Sequence, residues 1–133
     1  MNAGIGIDIV ETSRIRESIE RFGDRFKKRV FLPAEVEYCD PKADPAIHYA
    51  GRFAAKEAVS KAFGTGIGKE LGWQDIEVVR DPVSGAPSIR LHGKGIELAK
   101  ARGIATVLVS LSHTKEYAAA MSMLSAEKQD ETE

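Results

Sequence analysis

The sequence has a single cysteine, few aromatic residues and no long apolar run. Cys39 alone allows neither an intramolecular disulfide nor a zinc site built from several cysteines. No apolar segment approaches the roughly 20 residues of a membrane-spanning helix, and residues 1–4 lack the basic start of a secretory signal. Aromatic residues make up only 7% of the chain, which disfavours a base-stacking surface. These absences favour a cytoplasmic protein without a membrane or nucleic-acid partner.

The composition that remains is typical of a folded domain. Hydrophobic residues account for 43% of the 133 positions and charged residues for 29%, as in ordinary globular proteins. Residues 127–133 differ, because four acids stand there against one lysine and no apolar side chain anchors them. We therefore predict one domain over residues 1–124 and a disordered acidic tail over residues 125–133.

Hydrophobic periodicity predicts an α+β fold, in which a mainly antiparallel sheet packs against one long helix and shorter helices lie near the N-terminus. The long helix is predicted to start at Pro45, behind the capping residue Asp44, and to stop at Gly64. Shorter helices are predicted at residues 14–22, 24–30, 35–38 and 95–102, and later strands at residues 75–80, 88–92, 106–112 and 117–124.

The first predicted strand, residues 4–10, contains an acid among apolar residues. Its period of two puts Ile5, Ile7 and Ile9 on one face and Asp8 on the other. Acids are depleted in strands, and a buried carboxylate without a partner is costly. Asp8 is therefore expected to bind a cation, to pair, or to face water at an edge; capping of the following turn is the alternative.

The long helix is predicted to have an alanine-rich half and a polar half. Alanines let a helix approach a sheet closely, which would hold the polar half near the strands. The alternative is a solvated face on which Glu57 and Lys61 form an i,i+4 pair worth only about 0.3–0.5 kcal/mol. The polar half contains Arg52, Lys56, Glu57, Ser60 and Lys61.

Asp8 and Glu57 together have the chemistry of a magnesium site. Mg²⁺ typically takes one or two protein carboxylates and completes its octahedron with water and phosphate oxygens. Arg52, Lys56 and Lys61 would neutralise the phosphate oxygens that the metal leaves uncovered.

Two further polar segments are candidates for ligand binding. Residues 64–68 contain three glycines after the helix, where the helix dipole has the wrong sign for phosphate; they are either a helix stop or a nest of amides. Residues 112–114 end a strand with a polar turn. No G-x-S-x-G nucleophile elbow is present, so a hydrolase is not favoured.

Three stretches of the sequence closely resemble bacterial holo-acyl-carrier-protein synthases. They are GIGIDIVE at residues 4–11, GRFAAKEAVSKAFGTG at residues 51–66 and SLSHTKEYA at residues 110–118. The resemblance runs along nearly the whole chain and fails only in the acidic tail. It implies a small phosphopantetheinyl transferase of fatty acid biosynthesis that forms a homotrimer, with an active site between neighbouring subunits.

The resemblance also implies roles for individual residues. Asp8 and Glu57 would bind magnesium, and Lys61 would lie close to the coenzyme A phosphates, so these three are the predicted catalytic residues. Pro33 replaces the hydroxyl residue that the family often has before its short acidic helix. The positions predicted to border the nucleotide part of coenzyme A are Arg52, Lys56, Gly64, Thr65, Gly66, Ile67, Pro87, His113 and Thr114.

The implied reaction is attack by a serine hydroxyl of acyl carrier protein on the β-phosphorus of coenzyme A, with release of 3′,5′-ADP. Glu57 is a candidate to order the water that accepts the serine proton, and Glu35 is a candidate from the neighbouring cleft wall. Seven basic residues against three acids in residues 14–29 suit an acidic carrier protein. The predicted docking residues are Arg14, Arg21, Arg25 and Lys28.

Two alternatives remain from the sequence alone. A nucleic-acid-binding module would use the basic N-terminal third, but Phe22, Phe26 and Phe31 are expected in the core rather than in a stacking surface. A nucleotide-binding module without catalysis would bind coenzyme A but form no covalent carrier product.

Overall fold

The computed structural model describes residues 2–127 and has the predicted α+β fold. Every predicted helix and strand is present, with ends that differ by a few residues. A short 3₁₀ helix, Trp73–Asp75, precedes the second strand. The helices are α1 Thr12–Phe22, α2 Asp24–Val30, α3 Pro33–Cys39, α4 Pro45–Ala62 and α5 Lys94–Ala101, and the strands are β1 Asn2–Glu11, β2 Ile76–Arg80, β3 Pro87–Leu91, β4 Ile104–His113 and β5 Tyr117–Ala126.

The main sheet has three antiparallel strands in the order β1-β5-β4, and β2 and β3 form a separate antiparallel hairpin. In the main sheet Asp8 lies opposite Ala120, which lies opposite Leu111 on the far side. Asp8 is therefore on the outer strand of this sheet, where one edge of the strand is free of sheet partners within the described chain. This position brings its side chain to the rim of the sheet.

Helix α4 packs across β1 at close range. A Cβ added to Gly4 would collide with the carbonyl oxygen of Ala62, and one added to Gly6 would collide with that of Ala58. The alanine-rich half of α4 is buried as predicted, because small side chains allow this approach. The close packing places the C-terminal half of α4 directly beside Asp8.

The opposite face of the sheet is apolar and exposed. Ile5, Ile7 and Ile9 retain 64%, 67% and 67% of their accessible surface, and Leu108 and Met121 are also exposed. The strand register puts Met121 beside Ile7. A row of exposed large apolar residues is unusual on an isolated chain and is typical of a contact surface.

Two predictions need correction. Phe31 is buried and Phe26 packs against the core, but Phe22 is 45% exposed because it follows the solvent side of α1. The predicted disordered tail begins too early, since Ser125 and Ala126 pair with β4 through Thr106 and Ile104. Residues 128–133 of that tail lie outside the described residues.

Within residues 2–127, none of the helices has the length and apolar character required to cross a membrane.

Candidate active site

The three predicted catalytic residues, Asp8, Glu57 and Lys61, lie together where β1 meets α4. The Lys61 ammonium lies 2.9 Å from Asp8 Oδ1 and 3.1 Å from the backbone carbonyl oxygen of Ile7, and it donates a hydrogen bond to each. The Asp8 side chain is 15% exposed and that of Lys61 is 49% exposed. The ion pair therefore lies at the surface and remains accessible to a ligand.

Glu57 shares the electrostatic environment of this pair. Partial burial raises the pKa of its carboxyl above the ordinary value, the negative charge of Asp8 raises it further, and Lys61 opposes both effects. Two carboxylates that repel each other in this way form a favourable position for a cation.

The donor set fits magnesium in number and in chemistry. Within residues 2–127 no group of three or more potential metal-binding side chains occurs. Asp8 and Glu57 are two carboxylates close enough to affect each other's charge. Two carboxylates suffice for Mg²⁺, which typically keeps water and phosphate oxygens in its remaining positions.

Lys56 and Glu35 form an ion pair inside the fold. Both side chains are fully buried, and the Lys56 ammonium lies 2.7 Å from Glu35 Oε1. Lys56 also donates to the carbonyl oxygens of Val30 and Trp73, at 2.8 and 3.1 Å. Burial lowers the pKa of Lys56, and the charge of Glu35 partly opposes that effect. Lys56 therefore does not border a nucleotide site on this chain.

Glu35 likewise has its oxygens occupied inside the fold. One accepts a hydrogen bond from the amide of Leu32 at 2.7 Å, and the other accepts one from the amide of Val78 at 2.9 Å. This carboxylate joins α3 to β2 and to α4. Glu35 nevertheless belongs to the lining of an open pocket that also includes Tyr38 and Arg52, so its position on a cleft wall stays a prediction.

A second cluster of cations surrounds the Tyr38 ring on the other side of α4. The Arg52 guanidinium lies 4.0 Å from the ring centre and the Lys42 ammonium 4.4 Å from it. His48 contacts both the Tyr38 ring and the His113 ring, whose centres are 5.9 and 5.4 Å away. Arg52 is buried, and its Nε has no hydrogen-bond partner within the described residues. This donor is therefore unsatisfied within the described chain.

Tyr38, Lys42 and His48 belong to this cluster but were not among the site residues predicted from the sequence. His48 and Arg52 are four residues apart and so share a helix face, which is a signal that could have found the histidine. Burial lowers the pKa of His48, and the neighbouring charges of His113 and Arg52 act in the same direction. The other two lie on α3 and in the loop after it, and only the folded chain brings them to α4.

The glycine loop after α4 is a helix stop. The amides of Thr65 and Gly66 both donate to the carbonyl oxygen of Ser60 at 3.2 Å, and that of Gly64 donates to Lys61. Gly64 has a φ of 78°, which a glycine adopts at low cost. The amide of Gly68 donates to the carbonyl oxygen of Leu71 at 2.9 Å, so Ile67 has the one amide of residues 64–68 without a backbone partner among the described residues.

The other predicted nucleotide contacts lie near turns. Pro87 starts β3, and His113 ends β4 with its ring exposed beside His48. The Thr114 hydroxyl accepts hydrogen bonds from the amides of Glu116 and Tyr117, at 3.2 and 3.1 Å, so it stabilises the β4–β5 turn.

The two clusters lie on different faces of α4. Arg52 and Lys61 are nine residues apart, which corresponds to about 14 Å along the helix axis and about half a turn around it. The two clusters of one chain are therefore separated both along α4 and around it.

The predicted docking residues lie on an exposed basic surface of α1 and α2. Phe22 and Phe26 line an open pocket there, together with Arg25 and Arg29. This surface therefore combines positive charge with an apolar centre. Arg14, Arg21, Arg25 and Lys28 are all exposed.

The folded chain is thus an α+β domain with a carboxylate pair at a sheet edge and a separate cation cluster. Residues 4–122 match the sequence profile of the 4′-phosphopantetheinyl transferase superfamily, and the chain belongs to this superfamily. It is 48% identical over 124 residues to the holo-[acyl-carrier-protein] synthase of Koribacter versatilis strain Ellin345, an alignment that covers 93% of this chain and 98% of that relative. The resemblance recognised from the three motifs is confirmed.

Solved structures of similar proteins share the fold. The holo-[acyl-carrier-protein] synthase of Helicobacter pylori, in complex with coenzyme A, superposes with a TM-score of 0.81 at 39% identity and covers 91% of this chain and 99% of its own. The holo-(acyl-carrier-protein) synthase of Bacillus anthracis strain Ames, in complex with CoA (3′,5′-ADP), gives a TM-score of 0.79 at 38% identity and covers 96% and 99%.

Proposed function

We propose that the protein is a holo-[acyl-carrier-protein] synthase, which transfers 4′-phosphopantetheine from coenzyme A to a serine of acyl carrier protein and releases 3′,5′-ADP. The observation that carries the proposal is the cluster of Asp8, Glu57 and Lys61, formed by the motifs shared with the family. The named relatives are synthases of this kind, and two solved ones bind coenzyme A or its nucleotide product.

The proposed enzyme depends on magnesium, held by Asp8 and Glu57. When bound there, Mg²⁺ supplies charge stabilisation for phosphate oxygens during the transfer. Glu57 must be ionised to serve as a ligand, and its raised pKa makes that ionisation sensitive to pH. Lys61 carries a positive charge on a half-exposed side chain, which suits contact with a phosphate oxygen of the substrate.

The nucleotide end of coenzyme A is proposed to meet the second cluster. The Nε donor of Arg52 has no partner among the described residues. His113 is exposed, and its ring contacts the ring of His48, which belongs to the same cluster. Pro87 and residues 64–67 are retained as neighbours of the substrate, without a role for the bonded amides. Lys56 is omitted because its ammonium is inside the core.

The proposed assembly is a homotrimer with each active site between two subunits. Two observations support it: the exposed apolar sheet face at Ile5, Ile7 and Ile9, and the location of the two clusters on different faces of α4. A neighbouring chain would supply the cation cluster that completes the carboxylate site.

Carrier protein is proposed to dock on the basic surface of α1 and α2, with Phe22 as an apolar contact. Acyl carrier proteins are acidic, so complementary charge would accelerate encounter and orient docking. Reversing the charge of Arg14 and Arg21 together should raise the KM for the carrier about tenfold, and added salt should reduce that difference. Steady-state kinetics at two ionic strengths checks it, with Lys100→Glu on α5 as the control for net charge.

The cytoplasm is the proposed location, and fatty acid biosynthesis is the proposed process. The folded domain is proposed to end near Ala126, where β5 ends, rather than at residue 124.

Incubation of the protein with coenzyme A, magnesium and unmodified carrier protein tests the function directly. Mass spectrometry should find the carrier heavier by one phosphopantetheine, and a chelator should abolish the change. Binding of coenzyme A without any carrier modification would instead support the nucleotide-binding module. Failure of both binding and modification would refute the proposal.

A further inference from the structure

The Lys61 ammonium occupies the position on β1 that a hard cation would favour. It contacts one carboxylate oxygen, Asp8 Oδ1 at 2.9 Å, and one carbonyl oxygen, that of Ile7 at 3.1 Å. Carboxylate and backbone carbonyl oxygens are the protein ligands that hard divalent cations take. An ammonium group donates to such oxygens in place of a metal, since it carries positive charge and three donors.

The backbone holds Lys61 in this position. A Cβ on Gly6 would lie 3.0 Å from Cβ of Lys61, so the lysine stem starts directly against β1. From there the side chain reaches Asp8 with its ammonium, and half of the side chain stays in solvent. The contact is therefore preformed by the helix–strand packing, while the solvated stem leaves the ammonium able to move.

The geometry points to Lys61 as an internal competitor of the metal for Asp8. Its ammonium neutralises Asp8 in the substrate-free protein, and a divalent cation that binds Asp8 and Glu57 must displace it. The displaced ammonium then becomes available to a substrate phosphate. The inference rests on the proposed function for this last step alone; the competition itself rests on the observed contact.

The exchange of partners by Lys61 couples metal binding to coenzyme A binding. Breaking the Lys61–Asp8 pair weakens metal binding when no phosphate is present to receive the ammonium. When coenzyme A is present, the ammonium gains a new partner, so metal and coenzyme A strengthen each other's binding reciprocally. Lys61 would thus favour loading of metal and substrate together over loading of metal alone.

Binding of Mn²⁺ to the full chain without coenzyme A tests the competition. Free Mn²⁺ is measured by electron paramagnetic resonance during titration of the wild type, Lys61→Met, Lys61→Arg and Lys100→Met. Lys100 is an exposed lysine in the last turn of α5, so its substitution removes the same charge elsewhere. Lys61→Met should bind Mn²⁺ about fivefold more tightly, as expected from loss of an exposed ion pair, whereas the other two variants should stay within about twofold of the wild type.

A repeat of the titration with saturating coenzyme A separates the substrate step. Coenzyme A should tighten Mn²⁺ binding more in the wild type than in Lys61→Met, because only the wild type has an ammonium to transfer. Equal tightening in both proteins would overturn the coupling. A chain that passes the metal titration but leaves carrier protein unmodified would retain the competition and refute the proposed function.

Direct observation of the lysine guards against a variant that fails to fold. The side-chain Cε resonance of Lys61, identified by its loss in Lys61→Met or Lys61→Arg, should shift saturably when Mg²⁺ is added to the wild type. An unshifted resonance at saturating Mg²⁺ would overturn the inference. Unchanged or weaker Mn²⁺ binding by a folded Lys61→Met, an equal gain in Lys100→Met, or no Mn²⁺ binding by any variant would overturn it as well.

Discussion

Two lysine–carboxylate pairs on helix α4 have similar chemistry and opposite surroundings. Lys56 and Glu35 are fully buried at 2.7 Å, and backbone groups of four other residues complete their hydrogen bonds. Lys61 and Asp8 lie at 2.9 Å on the surface, with half of the lysine exposed. The buried pair is saturated by its own fold, whereas the surface pair keeps coordination capacity for a ligand. Burial, rather than residue type, therefore separates the structural pair from the proposed catalytic one.

Removal of the surface carboxylates should have the largest effect and should fall on activity alone. Glu57→Ala and Asp8→Ala are each expected to lower transfer by at least about 10³-fold, since transition-state charge would lose its counter-ion. Their unfolding midpoints in urea should stay close to that of the wild type, because an exposed pair contributes at most about 1 kcal/mol. Mass spectrometry of the carrier measures the rate, with Glu97→Ala as a control. Near-normal turnover in either variant would contradict the metal assignment.

Removal of one member of the buried pair should fall on stability. Glu35→Ala leaves the Lys56 charge without its counter-ion in the core, which is expected to cost about 3–5 kcal/mol. Urea unfolding followed by circular dichroism measures the loss. The double variant Glu35→Leu/Lys56→Met should recover most of it, because no buried charge is then left unpaired. Wild-type stability in Glu35→Ala would show that the two pairs do not differ as described.

Disruption of the exposed sheet face should lower the transfer activity that depends on the surface pair and should leave the buried pair intact. Ile7→Glu places a charge in the centre of the proposed subunit contact, and its unfavourable burial should dissociate the proposed trimer. The expected result is a monomer in sedimentation and a fall in transfer of about 100-fold or more, since about 3 kcal/mol of substrate contact would be lost. Ser84→Glu, in the β2–β3 turn, is the control. An active monomer would refute a site shared between subunits.

The smallest expected effect is a pH dependence specific to Glu57. Its pKa is raised in the folded chain by partial burial and by Asp8, so the folded state holds this proton more tightly than the unfolded state. Protonation of Glu57 therefore stabilises the folded state fully below the unfolded pKa of about 4.3. This stabilisation is lost as the pH rises through the pKa that Glu57 has in the folded state. Urea unfolding in chelator should show the wild type losing stability relative to Glu57→Gln over this range. A pH-independent difference would contradict the raised pKa.

Periodicity and spacing predicted much of the fold, whereas the roles of Asp8 and Glu57 came from the resemblance to the family and stay a prediction. The period of two in β1 and the alanine-rich half of α4 are local properties, so they identified Asp8 and Glu57 on elements that pack together. Lys56 was placed wrongly, because a helical wheel gives the direction of a side chain but not the depth of what covers it. The covering groups come from Val30 and Trp73, which are distant in sequence.

The remaining differences also depend on distant parts of the chain. Ser125 and Ala126 looked like the start of a polar tail, but pairing with β4 orders them. The cation cluster escaped notice because Tyr38 and His48 belong to separate helices that meet only in the fold. Sequence pattern is informative within one element and loses information where two elements must be positioned together.

The close contact between Gly6 and α4 has a consequence for tolerance to mutation. A methyl group at this position would meet backbone atoms of Ala58 and Ala62, which no change of rotamer can move aside. The helix would have to shift away from the strand, and Glu57 and Lys61 would shift with it while Asp8 stayed behind. The absence of a side chain at Gly6 thus sets the distance between Asp8 and the two α4 residues of the proposed active site. A protein altered only at Gly6 is therefore expected to fold and to have lost its transfer activity.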